Sequence, residues 1–128
     1  MEFFVMERVG HFKPHKATSN QCKGVGHHGY NYTCKIVFDP TIRLDSRGFL
    51  IDHQDVDDAI RNIKHAGSCE EMHQVIMKTI LTTLERKRVD PMAVKVVITP
   101  IDEMGRESAM AKLTNIFVKD HIYMSMVA

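Results

Sequence analysis

The stretch Gly10–Ile36, GHFKPHKATSNQCKGVGHHGYNYTCKI, decides how the chain is to be read. It holds four histidines and two cysteines, and its second half turns into a clean alternation. Tyr32, Cys34, Ile36 and Phe38 share one parity and Thr33, Lys35 and Val37 the other, a period of two that predicts a β-strand. Upstream, Phe3, Val5, Glu7, Val9 and His11 alternate with Phe4, Met6, Arg8 and Phe12, which predicts a first strand. Residues 13–27 contain Pro, Ser, Asn and Gly without a usable period, so they are expected to form a long loop, and such loops in a compact domain are usually functional. The two strands are expected to pair antiparallel. The histidine cluster is either a metal site with a nucleophile beside it or a polar loop that is rich in histidine.

Further along, Asp39–Phe49, DPTIRLDSRGF, carries turn chemistry at both ends. From Asp52 the period changes. Val56, Ala59, Ile60 and Ile63 follow helical spacing, with Asp52 or Asp55 as N-cap. Ser68 with Glu71 forms a capping-box pattern that opens a second helix, striped by Met72, Val75, Ile76, Thr79, Ile80 and Leu84. Val94, Val96 and Ile98 predict one face of a third strand that stops at Pro100, and a last extended stretch is expected within 113–127. The expected order is therefore ββααββ: an α+β domain with a four-stranded antiparallel sheet and two helices packed on one face. The other face, expected to carry Val, Cys, Tyr and Met, is left bare in a monomer and points to a homo-oligomer.

Composition narrows the function classes. At 128 residues the chain suits a single domain, 1–128, with one core. A formal charge of +1 gives no electrostatic case for nucleic acid. The basic run Arg86-Lys87-Arg88 sits at the expected end of the second helix, where the helix dipole favours cations. No apolar run approaches the ~20 residues of a membrane span, and the N-terminus is too charged for a signal peptide. Three cysteines argue against a disulfide framework and for a reducing, cytoplasmic setting. Cys34, among apolar strand residues, is expected in the core. His53, His73 and His121 are expected to be surface or satisfied core residues.

Several local motifs together resemble the 6-pyruvoyl-tetrahydropterin synthase and 6-carboxytetrahydropterin synthase family, over most of residues 5–100. VGHFKPH, Val9–His15, is similar to the family's small-small-His motif; HGYNY, His28–Tyr32, to its His-Gly-His-Asn-Tyr; GFLIDH, Gly48–His53, to its Gly-x-x-Ile-Asp-Phe. The resemblance implies the T-fold, a trimer or hexamer, and a zinc-dependent lyase acting on a reduced pterin triphosphate. It implies zinc ligands at His11 and His28, with Tyr30 standing where the family has a third histidine; His27 or His15 could fill that place. It implies Cys22 as the thiol that removes a proton and His65 as its acid–base partner, although Lys64 replaces the family's aspartate. It also implies pterin contacts at Thr99 and at a carboxylate from the following loop, Glu103 or Glu107.

Three expectations follow. One is the lyase, working through His11, His28, Cys22 and His65. Another is a T-fold oligomer that has lost the chemistry and binds a pterin- or purine-like ligand or serves as an interaction protein. The third is an enzyme of the same fold with a pocket remodelled for another heterocycle.

Overall fold

The structure, a computed structural model, describes residues 3–16, 27–39, 41–64, 69–102, 104–107 and 112–119, and for residues 13–16, 27, 28 and 69 the backbone alone. Strands β1 (Phe4–Lys16) and β2 (His27–Phe38) precede helices α1 (His53–Arg61) and α2 (Cys69–Arg86), and strands β3 (Pro91–Ile101) and β4 (Leu113–Val118) follow. The sheet runs β1-β2-β3-β4, with every neighbouring pair antiparallel. The expected ββααββ layout, four antiparallel strands with two helices on one face, is the one found. No helix among the described residues is long and apolar enough to cross a membrane.

The strand parities sort into two faces. Tyr30, Tyr32, Cys34, Ile36 and Phe38 of β2 and Val94, Val96 and Ile98 of β3 point to the helices, where they pack with Val56 and Ile60 of α1 and Met72, Ile76, Ile80 and Leu84 of α2. The open face carries Glu7, Val9 and His11 of β1, Asn31, Thr33 and Lys35 of β2, and Lys95, Val97 and Thr99 of β3. This corrects the expected bare face. Cys34, Tyr32 and Met6 lie under the helices, and the open face is instead one of valines, threonines and charges. The apolar content of both β1 parities hid the difference. Cys34 is in the core as expected, fully buried.

Two strands outrun their expected ends, each at a proline. β1 continues through Pro14 because it is an edge strand, and a register irregularity between Phe12 and His15 accommodates the extra residue. β3 continues through Pro100, which pairs with Tyr30. Among the described residues the β4 register reaches only to Ile98, so no described strand on that side of β3 needs the missing N–H of Pro100.

The helix ends follow local chemistry. Asp52 caps α1, its side chain accepting from the Gln54 N–H at 2.9 Å. The turn before it is held by Asp45, whose carboxylate accepts from the Arg47 and Phe49 N–H groups at 2.8 and 2.9 Å, with Gly48 at φ +86°. The GFLIDH motif thus has a structural job: a positive-φ glycine, a buried Ile51 and a helix cap. At its other end α2 closes with a Schellman motif, Val89 N–H to the Leu84 carbonyl and Arg88 N–H to the Glu85 carbonyl, both at 2.9 Å. Arg88 occupies the left-handed position at φ +57°, where glycine is usual. The expected cap Ser68 lies outside the described residues.

Candidate functional site

The end of the sheet where β1, β2 and β3 meet brings several of the expected residues into one row. The register sets His11 beside Asn31 and Asn31 beside Thr99, so three polar side chains on adjacent strands share the open face. Successive residues of one strand point to opposite faces, and directly paired residues point to the same one. Hydrophobic alternation in β2 therefore fixes the row: with Tyr30 and Tyr32 in the core, Asn31 must face outwards.

The chain after β3 returns to this row. Asp102 accepts from the Met104 and Arg106 N–H groups, both at 2.9 Å, and Gly105 sits at φ +78°. These bonds, led by the one from Arg106, hold the Asp102 carboxyl below its ordinary range. The turn lets Glu107 bridge back to Ile101, and its carboxylate accepts from the Asn31 amide at 2.7 Å. Thr99 is 6% exposed although it lies on the open face, and its hydroxyl has no hydrogen bond to a described residue. Buried hydroxyls are ordinarily satisfied, so this one is a donor and acceptor in reserve.

On the helix side of the same strand end, a cleft of about 390 Å³ lies between β1 and α1, lined by Gly10, His11, Phe12, Tyr32, Asp57 and Arg61 among others. Tyr32 lies over Gly10 so closely that a Cβ there would come within 2.6 Å of its Cζ. A side chain at this position would force the ring to shift. Burial pushes the Tyr32 phenol above its ordinary range, so it stays a neutral hydroxyl at physiological pH.

Two of the expected metal ligands, His11 and Tyr30, are not brought together. His11 is exposed on the open face, whereas Tyr30 is fully buried on the helix side opposite Phe12. Ligands on opposite faces of one sheet cannot share a tetrahedral ion with bonds of about 2 Å. His11 and Tyr30 therefore do not fit a common zinc. The backbone register pairs His28 with His15. Among the described residues no group of three or more His, Cys, Asp or Glu side chains could hold a metal. Cys22, His65 and Glu103 lie outside the described residues; Thr99 belongs to the row, and among the described residues Glu107 is a loop carboxylate that reaches the sheet.

Sequence reasoning passed over Asn31, whose neighbours Tyr30 and Tyr32 alternate into the core. It put Glu103 first among the loop carboxylates, with Glu107 as the alternative; Asp102 followed three residues later by Gly105 is the turn signal that brings Glu107 back to the sheet. His73, expected on the surface or satisfied in the core, is buried with Nε2 at 3.0 Å from the Val96 carbonyl and 3.1 Å from that of Leu113. With carbonyls as its partners, that nitrogen carries the proton and donates to both.

No family model and no curated protein matches the chain significantly. Among solved structures it is similar to 6-pyruvoyl tetrahydropterin synthase of Caenorhabditis elegans, with 16% identity and a TM-score of 0.49, covering 90% of this chain and 96% of that one.

Proposed function

We propose that the chain binds a pterin- or purine-like heterocycle at the row formed by Asn31, Thr99 and Glu107, with His11 at its rim. The observation that carries the reading is the Glu107 carboxylate held 2.7 Å from the Asn31 amide, beside a buried Thr99 hydroxyl without a described partner. An aminopyrimidinone edge offers adjacent N–H donors and a carbonyl. A carboxylate takes the donors with charge-assisted bonds, and an amide N–H or a hydroxyl serves the carbonyl. The sequence resemblance to pterin synthases, which implied contacts from Thr99 and a loop carboxylate, points the same way. Titration calorimetry with a pterin and a purine panel tests it: binding that Glu107→Gln and Thr99→Val each weaken by about tenfold is expected, as loss of one charge-assisted or buried hydrogen bond implies. A panel that binds neither the native chain nor any variant would remove the proposal.

A second reading, the zinc-dependent lyase on a reduced pterin triphosphate, is favoured by one register fact. His28 and His15 are directly paired across β1 and β2, and paired Cα atoms in antiparallel strands are about 4.5–5.5 Å apart. That pair, with Cys22 and His65 as the thiol and its acid–base partner, would replace the ligand set that Tyr30 breaks. Metal analysis of protein purified without added zinc tests it; less than about a tenth of an equivalent, with no triphosphate released from dihydroneopterin triphosphate, leaves the binding role alone. We further propose a homo-oligomer, a trimer or hexamer. Val5 and Val9, 50% and 73% exposed on the edge strand, support it, and light scattering of the purified chain is the check.

A further inference from the structure

The cleft between β1 and α1 holds a group that neither the core nor the heterocycle row employs. Tyr32 is 8% exposed, and its phenol has no hydrogen bond to a described residue. Buried hydroxyls are ordinarily paired, and an unpaired one costs free energy. Tyr32 stands directly opposite Gly10 in the register, and a Cβ at Gly10 would lie 2.4 Å from its Oη. Packing explains the ring, which covers the glycine and meets Phe12 at 5.7 Å between centroids. Phenylalanine would do both as well. The hydroxyl is what packing leaves over, and it lies against Gly10 in the wall of the cleft that both residues line.

The other walls select the ligand. At about 390 Å³ the cleft falls at the small end of the roughly 300–1,000 Å³ of small-molecule sites, and Phe12 and Ile60 give it an apolar side. Asp57 and Arg61 line it too. Both Asp57 oxygens already accept from Arg8, so that carboxylate is answered and makes a poor seat for a donor. Arg61 gives Nη1 to Asp58 at 3.2 Å, with both side chains largely exposed. Such an exposed pair is held weakly, and the guanidinium has further N–H groups to offer. A phenol O–H and a guanidinium N–H are both donors, which an anionic oxygen takes with charge-assisted bonds. The apolar side then suits a flat ring behind that head.

We infer that this cleft binds a small aromatic carboxylate, its head taken by the Tyr32 hydroxyl and Arg61 and its ring laid against Phe12 and Ile60. Asn31 and Thr99 face the other side of the sheet, so the site does not depend on the heterocycle reading.

Calorimetric titration with benzoate tests the site. Saturable binding is expected, weakened about tenfold in each of Tyr32→Phe and Arg61→Gln, as loss of one charge-assisted hydrogen bond implies. Lys78→Met, which removes a charge from an exposed position of α2, is expected to bind benzoate as the native chain does. Acetate, which has the head without the ring, and benzyl alcohol, which has the ring without the charge, are each expected to bind about tenfold more weakly or worse. Without ligand, Tyr32→Phe is expected to melt no lower than the native chain, because it keeps the ring and removes an unpaired hydroxyl. That separates loss of the site from loss of the fold. A native chain that does not bind benzoate, or a Tyr32→Phe variant that binds it equally well, overturns the site. So does a Tyr32→Phe midpoint below the native one, which would mean that the hydroxyl already has a partner within the fold. Acetate binding as tightly as benzoate overturns the aromatic class. Pterin affinity at the row is expected to be the same in Tyr32→Phe and the native chain, so the two proposals fail separately.

Discussion

Arg8 and Asp57 tie the edge strand to the first helix by a two-point contact, Nε to Oδ1 at 2.9 Å and Nη2 to Oδ2 at 2.5 Å. The forked guanidinium matches the carboxylate, and Asp57 also lines the cleft in which Tyr32 covers Gly10. The Arg8 hydrogen bond holds the Asp57 carboxyl below its ordinary range. A depressed folded-state pKa contributes stability that is fully present above the unfolded value of about 3.9 and is lost as pH falls through the folded one. Arg8→Met is therefore expected to cost about 1–2 kcal/mol at pH 7, and less below pH 4, where the partner is becoming neutral. Urea unfolding at pH 7 and pH 3 measures the difference; an equal cost at both would show that packing alone is lost.

His73 joins a helix to two strands through one donor. Replacing it by leucine leaves two carbonyls without that proton, and a loss of about 1–3 kcal/mol is expected. Glutamine, which can still donate, should recover part of this. The same denaturant titrations decide it, and a leucine variant as stable as the native chain would mean that the two contacts have no net value.

Arg88 takes a left-handed conformation that costs an L-residue about 1–2 kcal/mol relative to glycine. Arg88→Gly is expected to raise stability by about 0.5–1 kcal/mol, since glycine's greater freedom in the unfolded chain offsets part of the relief. A rise in the midpoint of thermal unfolding is the readout; a fall would mean that the side chain contributes more than the strain.

Cys34 lies in the core, and burial pushes its thiol up to about 11. The thiolate is the reactive form, so at pH 8 Cys34 is expected to resist alkylation in the folded protein and react fully in denaturant. Peptide mapping after brief iodoacetamide treatment reports each cysteine separately. Rapid labelling of Cys34 under native conditions would place it outside the packed layer.

What was legible in the sequence follows from which signals are local. Period two marked the strands and helical spacing marked both helices, because burial of one face writes directly into residue order. The cap was legible as Asp52 or Asp55, and the bond from the Gln54 N–H decides for Asp52. The faces were not. Val5 and Val9 on one parity of β1 compete with Met6 and Phe12 on the other, and the helices, distant in sequence, settle which is covered. Register was equally hidden: that His11 stands opposite Asn31 while Tyr30 stands opposite Phe12 depends on a hairpin whose length sequence does not fix. The family motif pointed to the strand end where His11, Asn31 and Thr99 share a row, yet it could not tell that one of its substituted positions had turned into the core. Pro14 and Pro100 misled because proline is excluded only where a neighbouring strand needs its N–H, and that too is a matter of register.

The central claim is that the Glu107 carboxylate, beside the Thr99 hydroxyl, reads the donor edge of a nitrogen heterocycle. Calorimetric titration of a pterin into the native chain and Glu107→Gln tests this most directly. Saturable binding to the first and binding about tenfold weaker to the second are expected, with the fold of both confirmed by the same unfolding midpoint. Equal affinity in the two proteins would contradict it.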